Sequence, residues 1–426
     1  MPDINIGDFQ EALGTTLRRY LFTANFIADS EIELRREFWR ELQRKDVFTR
    51  EPLLSAIPTY EQAETVGELL RRRQPPLLDA RLAALAAGGF SLDRRLYTHQ
   101  VDSLRIAQLG HSLVVATGTG SGKTECFLLP VLDDALRHPG AGVRTIVIYP
   151  MNALANDQLD RLRELLRGLP EITFGRYTGD TVEDESELSA EERGGRLQNE
   201  RLTRQEIRCE PPHILLTNFA MLEYLLLRPD DNEIFRQQRL RFVVLDEAHS
   251  YSGAQGIDVG LLMRRLQEAY RKCSLQFLLT SATIGGDEAV QAVTDFAESL
   301  TGKAFATEHV LRGRVVAPAG GDQALPLRAY TTAVRDESAF RSWIAALDDV
   351  RQLQDLASSS GLPLSPEALD ESTAPRFLHR WLSRNADVAR LHAACSECPL
   401  TLAQAAQCVF GTASEDAIRV VKWLVP

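Results

Sequence analysis

Two short stretches of the sequence hold side chains able to do chemistry. The first is Ala116-Thr117-Gly118-Thr119-Gly120-Ser121-Gly122-Lys123-Thr124, which lies between an apolar run and a helical one. Glycines let the main chain wrap closely, so that its N–H groups and the start of the next helix face an anion. In that setting Lys123 brings a positive charge to the outer phosphates of a nucleotide, and the Thr124 hydroxyl is a ligand for Mg²⁺. Thr117, Gly118, Thr119, Gly120, Ser121 and Gly122 make the wall of the loop. The spacing departs by one place from the simple GxxxxGK[ST] pattern, since Thr117 stands where the first glycine belongs and Gly118 follows it. The second stretch is Val243-Val244-Leu245-Asp246-Glu247-Ala248-His249, two acids and a histidine at the end of an apolar run. Asp246 can hold the Mg²⁺, Glu247 can orient the water that attacks the outer phosphate, and His249 completes the candidate catalytic set. Either stretch alone could be a polar loop; together, in this order, they predict a nucleotide site.

Such loops need rigid elements to aim them. From Leu96 to about Thr301, short apolar runs alternate with longer helical stretches, which predicts a parallel sheet wrapped by helices. Candidate strands are Ser112–Ala116, Arg144–Tyr149, Ile172–Tyr177, His213–Thr217, Arg241–Leu245 and Gln276–Thr280, each nearly all apolar, as befits strands covered on both faces. Gly179–Gln205 interrupts this pattern with many acids and reads as an exposed insertion without chemistry of its own. Residues 1–95 read as a helical accessory domain, with helical spacing over Phe9–Phe26 and Glu31–Leu42 and a basic turn at Arg71, Arg72 and Arg73. Residues 302–335 read as a linker, and 336–426 as a helical segment that ends in two helices of a winged-helix-like module.

Composition narrows the class. The 44% hydrophobic and 25% charged residues are those of an ordinary globular protein and exclude a wholly disordered or fibrous chain. A formal charge of −11 excludes a histone-like coat for nucleic acid but leaves room for a local groove that binds a strand. No apolar run is long enough for a membrane helix, and the first residues lack a signal peptide's pattern, so the expectation is a cytoplasmic protein with no membrane partner. Cys126, Cys209, Cys273, Cys395, Cys398 and Cys408 are too scattered for a disulfide framework. The lone CxxC of Cys395 and Cys398 reads as two small core residues on a helix in preference to a zinc site.

Between Leu96 and Thr283 the sequence resembles the superfamily 2 helicases of the DEAD/DEAH type, through several ordered blocks. Leu96-Tyr97-Thr98-His99-Gln100 looks like the adenine-reading block; the resemblance implies that Gln100 bonds the adenine edge with Tyr97 nearby. Tyr149-Pro150-Met151-Asn152, Tyr177-Thr178-Gly179-Asp180 and Leu216-Thr217-Asn218-Phe219 fall where that family grips a nucleic-acid strand, which implies contacts at Pro150, Asn152, Thr178, Gly179, Thr217 and Asn218. Contacts of this kind bind the strand backbone without reading bases. Asn152 and Asn218 are also good helix caps, a role one residue can combine with strand binding, which is the preferred reading. Thr280-Ser281-Ala282-Thr283 matches the coupling block, which implies that Ser281 and Thr283 link hydrolysis to movement. The wording around these blocks is similar to that of large bacterial DNA helicases of the Lhr and MrfA types, with relatives in antiphage systems such as Druantia and DISARM.

Such motors carry two RecA-like domains, the second of which supplies arginines to the ATP cleft. After Thr301 no second train of strands and helices follows and no QxxGRxxR-like block appears. The expectation is therefore the front half of an ATP- and Mg²⁺-dependent helicase or translocase, acting on single-stranded or partly duplex DNA in defence or repair. Its second RecA-like domain would come from the chain's continuation or from a partner chain. The alternatives are a nucleotide-binding regulatory or scaffold subunit and an RNA helicase, since the strand blocks do not reveal the sugar.

Overall fold

The computed structural model describes residues 6–316, apart from 26, 29, 45–52, 57, 73–76, 119 and 283–288, and residues 386–424 apart from 398. Its contacts divide the chain into two units, Tyr60–Val316 and a second made of Met1–Thr59 with Ala317–Pro426.

Tyr60–Val316 is built on eight strands: β1 (Leu113–Ala116), β2 (Thr145–Tyr149), β3 (Phe174–Tyr177), β4 (Glu200–Arg201), β5 (Ile214–Asn218), β6 (Phe242–Leu245), β7 (Gln276–Ser281) and β8 (Val310–Leu311). They pair in the order β8-β1-β7-β6-β2-β5-β3-β4, every neighbour parallel. The six strands expected from the sequence are all present, with ends shifted by at most two residues. The fold is α/β, a RecA-like parallel sheet flanked by helices. Successive residues of one strand point to opposite faces. Thus Val115, Val147, Leu216 and Val244 enter one core while Val114, Ile146, Ile148, Leu215 and Val243 enter the other. Two cores explain why the runs are continuously apolar instead of alternating.

The first core is closed by helices α1 (Thr98–Gln108) and α2 (Lys123–Arg137), with α3 (Asn152–Leu165); the second is closed by α4 (Phe219–Leu227), α5 (Gly253–Ala269) and α6 (Ala289–Thr301). Residues 60–95 belong to this unit as well. Val66, Leu69, Leu78, Leu82 and Leu85 are buried in the first core, and Gln62–Thr65 pairs antiparallel with Arg95–Tyr97. The edge of the unit is therefore Tyr60, not Leu96, because a short strand and its following turns cover an apolar face of α1 and α2 that would otherwise meet water. At the other end β8 joins the sheet beside β1, so residues 302–316 are part of the fold and not a linker.

In Gly179–Gln205 the acids Glu183, Glu185, Glu187, Glu191 and Glu192 are exposed as expected, but the segment is also folded into the unit. Ser189 caps the helix Ala190–Gly195 through a capping box with Glu192, and β4 adds a strand to the sheet edge. Glu200 is fully buried and is paired with Arg163 of α3 at 2.8 Å. The acids cap, pair with arginines and anchor an edge strand. Composition alone does not show that Glu200, unlike the exposed acids, is buried against a countercharge.

In the second unit the helices Ile6–Ala24 and Ile32–Leu42 cover most of the stretches expected at Phe9–Phe26 and Glu31–Leu42, with Glu31 as the N-cap of the latter and Phe26 outside the described residues. Helices Ala386–Glu397, Leu402–Phe410 and Glu415–Leu424 share a small core that includes Cys395, Ala405, Val409 and Val420, and Leu53–Leu54 pairs with Leu400–Thr401. Cys395 is a buried core residue, while Cys398, Arg73 and the residues between 317 and 385 lie outside the described ones. Among the described residues no group of three or more His, Cys, Asp or Glu could hold a metal, and no helix is long and apolar enough to cross a membrane.

At the amino ends of the strands one buried carboxylate ties three elements together. Asp134 of α2 accepts from Arg144, before β2, at 2.7 Å and from Arg241, before β6, at 2.8 Å. Asp134→Ala would leave two arginines without their countercharge in a largely buried place, which costs about 3 kcal/mol. We expect a clear fall in the urea midpoint of unfolding; an unchanged midpoint would show that α2 is held by apolar packing alone.

Candidate nucleotide site and strand edge

In an all-parallel sheet every strand leaves at the same edge, so the loops after β1, β2, β3, β5, β6 and β7 converge there. The loop after β1 turns into α2 through Gly120 and Gly122, both left-handed at φ +76° and +71°. Only glycine takes this conformation without cost. A Cβ on Gly122 would meet Gln100 Nε2 at 2.3 Å, whereas one on Gly120 would meet nothing within 4 Å. The Thr117 and Ser121 hydroxyls, both buried, close the base of the loop at 2.6 Å. Gly122 is the N-cap of α2 and Lys123 its first residue, so the Lys123 and Thr124 side chains leave from the helix start. Thr119 lies outside the described residues.

Lys123 Nζ lies 3.0 Å from Glu247 Oε1 and 3.3 Å from Oε2. The two candidate stretches thus meet, although β7 lies between the strands that carry them. Register explains the meeting: Ser281 is level with Ala116 and Leu279 with Leu245, so Thr280 ends up beside the first residue after β6. The Thr280 hydroxyl accepts from the Glu247 N–H at 3.0 Å and donates to Asp246 Oδ1. Glu247 itself is left-handed, φ 47° and ψ 47°, a conformation that costs a non-glycine residue about 1–3 kcal/mol and is kept only where surroundings over-determine it. Burial pushes the Asp246 carboxyl above its usual range and the charge of Glu247 adds to this, against the Thr280 hydrogen bond and Lys123. A buried carboxylate of this kind gains from a cation beside it. Asp246 with the Thr124 hydroxyl fits the sparse protein ligation that Mg²⁺ uses when phosphates supply the rest. His249 Nδ1 lies 3.4 Å from Glu247 Oε2 and accepts from the Ala282 N–H at 3.3 Å, bridging the loop after β6 to the block after β7. Ser281 is buried, its hydroxyl on the Ala282 carbonyl at 3.0 Å, and Thr283 lies outside the described residues.

Gln100 departs from the role implied by resemblance. It is buried, its Oε1 accepts from the Tyr97 N–H at 2.8 Å, and its Nε2 donates to the Gly122 carbonyl at 2.9 Å. Both ends of the amide are engaged beneath the loop, so in this structure it braces the loop and does not face an open adenine slot. Tyr97 is half-buried, with its ring stacked on His99.

Along the same edge, Asn218 caps α4 by accepting from the Met221 N–H at 2.7 Å, and its amide donates to Asn152 Oδ1 at 2.7 Å. Asn152 donates in turn to Asp180 at 3.2 Å. Asn152 and Asn218 are half-buried, Pro150 is half-buried and Gly179 is exposed, so these four can be reached from outside. Thr217 and Thr178 cannot, being fully buried, and the Thr217 hydroxyl donates to the Tyr177 carbonyl at 2.7 Å as a tie between β5 and β3. For Thr217 alternation decides this, since a strand residue that faces a core does not face a ligand; Thr178, one residue past β3, is buried in the turn where its N–H donates to the Thr181 hydroxyl at 2.9 Å. Two cations that sequence reasoning passed over also stand here. Arg176 bonds Asn156 of α3, and Arg204 lies over the Tyr177 ring and donates to the Gly179 carbonyl at 3.2 Å. Arg204 belongs to the acidic stretch, where its neighbours masked it.

Residues 97–292 match the family of DEAD/DEAH box helicases. The chain carries a DEAD/DEAH box helicase domain. It is 31% identical over 402 residues to the Druantia protein DruE of Escherichia coli, covering 70% of this chain and 21% of that protein. It is 32% identical over 240 residues to the uncharacterized ATP-dependent helicase YprA of Bacillus subtilis, covering 55% of this chain and 28% of the relative. Among solved structures, the DUF1998 helicase MrfA is similar at 25% identity and a TM-score of 0.45, covering 73% of this chain and 42% of that one. The chain thus spans about a quarter of the length of these curated relatives.

Gly122 and Gly120 offer a direct check on the loop. Gly120→Ala should cost only the left-handed penalty, about 1–2 kcal/mol, whereas Gly122→Ala must also displace the Gln100 amide and should cost more. Denaturant unfolding of the two variants compares them; equal losses would mean that Gln100 does not press on the loop.

Proposed function

We propose that the chain is the nucleotide-loading part of an ATP-driven motor that moves along nucleic acid, DNA in the first place. The observation that carries this reading is the pairing of Lys123 with Glu247 over Thr280, which sets a cation, a metal-ligating carboxylate and a general base within a few ångströms at one sheet edge. Lys123 and the loop N–H groups bind the outer phosphates of ATP. Bound Mg²⁺ would neutralise phosphate charge, and Asp246 and Thr124 are the residues to hold it. Glu247, held in its left-handed turn, orients the attacking water, and His249 carries the state of that turn to the block at Ser281. A second RecA-like lobe, from the chain's continuation or from a partner, closes over Lys123 and adds arginines, a contribution of about 10³–10⁵ in rate.

Support for DNA comes from relatives: MrfA has been solved bound to DNA. RNA is the second reading, because a DEAD-box ATP-dependent RNA helicase of Oryza sativa is 30% identical over 202 residues. The likeness to the Druantia protein supports a place in antiphage defence. Asn152, Asn218, Pro150 and Gly179 hold the strand through its backbone, with Arg204 beside them, so binding is largely independent of sequence.

Lys123→Ala is expected to abolish ATP turnover by the complete motor, and Glu247→Gln to leave ATP bound but uncleaved, since Asp246 and Thr124 stay in place. Turnover at the parental rate in either variant would refute the assignment. On the strand side, Asn152→Ala should weaken single-strand affinity several-fold at low salt. Thr217→Val should instead lower thermal stability and leave affinity unchanged, a contrast that titration at several salt concentrations resolves. Equal affinity losses would return Thr217 to the strand contacts.

A further inference from the structure

A loop that aims its N–H groups at a phosphate turns its carbonyls the other way, into the protein, where each needs a donor. Two of these carbonyls find one in the first turn of α1. The Ser121 carbonyl meets His99 Nε2 at 2.9 Å, and the Gly122 carbonyl meets Gln100 Nε2 at 2.9 Å. The histidine falls inside a block whose resemblance gave it no role.

His99 is 1% exposed. Its ring stacks on Tyr97, with centroids 5.5 Å apart and planes at 16°, and meets Tyr60 edge-on at 5.4 Å. Nδ1 is buried with no hydrogen-bond partner. A carbonyl accepts only if the nitrogen facing it carries a proton, so the geometry requires hydrogen on Nε2. A second proton on Nδ1 would have no acceptor, and burial accordingly holds the imidazole pKa below its ordinary value. Contacts with Tyr97 and Tyr60 hold the plane of the ring, and the Ser121 carbonyl selects the edge that carries Nε2–H.

We propose that His99, as the neutral Nε2–H tautomer, is a positioning residue that fixes the Ser121 carbonyl inward and so presents the loop's N–H groups to the nucleotide phosphates. The proposal rests on the nucleotide reading of this site. It acts at a distance from the chemistry: His99 touches the loop and not the phosphates, so losing it should weaken ATP binding and leave Glu247 undisturbed. In the complete motor the Michaelis constant for ATP should therefore rise while kcat changes little.

Two measurements on the whole chain test this. The first needs no variant of altered packing: selective ¹⁵N-histidine labelling and long-range proton–nitrogen correlation report the tautomer of each ring, with His99 expected as neutral Nε2–H at pH 7.5. A neutral Nδ1–H ring, or a doubly protonated one, would overturn the proposal. The second is titration with MgATP. His99→Phe keeps a flat ring against Tyr97 but loses the donor and should bind roughly tenfold more weakly, the order expected for one hydrogen bond. His99→Gln, which restores an N–H donor, should recover most of that loss. Parental affinity in His99→Phe, or equal losses in both variants, would reduce His99 to a packing residue. Should His99→Phe fail to fold, the tautomer measurement decides alone. Lys123→Ala, titrated alongside, separates the two levels. Unchanged affinity there removes the nucleotide reading and the role of His99 with it, whereas lost affinity there and parental affinity in His99→Phe removes the role of His99 alone.

Discussion

The parallel register of β1, β7 and β6 is the constraint on which the rest of the site depends. Three strands side by side, level at Val114, Leu279 and Leu245, leave the sheet within a residue or two of one another. From that alignment follow the meeting of Lys123 with Glu247, the placing of Thr280 between Asp246 and the Glu247 N–H, and the tolerance of a left-handed backbone at Glu247. A one-residue slip of β7 would turn Thr280 to the opposite face and put a leucine or serine in its place. Two buried cores fix the register, since each strand residue has an apolar partner layer on its own side.

Support for the site is concentrated beneath the loops. His99, Gln100 and the Thr117–Ser121 pair brace the loop after β1, while Thr280 and His249 brace the loop after β6. At the opposite edge Asp134 gathers Arg144 and Arg241, so α2, which begins at Lys123, is tied at both ends. A helix held in this way delivers Lys123 at a defined height above the sheet, which a catalytic constellation needs.

Much of this was legible in the sequence for physical reasons. Continuous apolar runs of four to six residues announce strands buried on both faces, and glycine spacing before Lys123 announces a wrapped loop, so fold class and the Lys123, Asp246 and Glu247 set could be read directly. Orientation within an element was harder to read. Thr178 and Thr217 carry hydroxyls at strand ends, and only the assembled sheet shows that both face inward. Gln100 lies in the right block yet spends its amide on Tyr97 and Gly122, a partnership across the fold that no local pattern reveals. Glu200 and Arg204 were hidden for a related reason: a stretch dense in acids reads as solvated until Arg163 and the Tyr177 ring are found beside it.

In the proposed motor Lys123 holds an outer phosphate of ATP, and Glu247 shares that point. Two anions then compete for one ammonium group, so binding of the phosphate has to part the 3.0 Å pair. The most direct test is a crystal structure of the chain with Mg²⁺ and a non-hydrolysable ATP analogue. The account predicts the outer phosphates on Lys123 Nζ and the loop N–H groups, the metal on Asp246 and Thr124, and Glu247 released from Lys123 toward the attacking side. An analogue bound elsewhere on the sheet edge, or bound with Lys123 and Glu247 still paired, would contradict it.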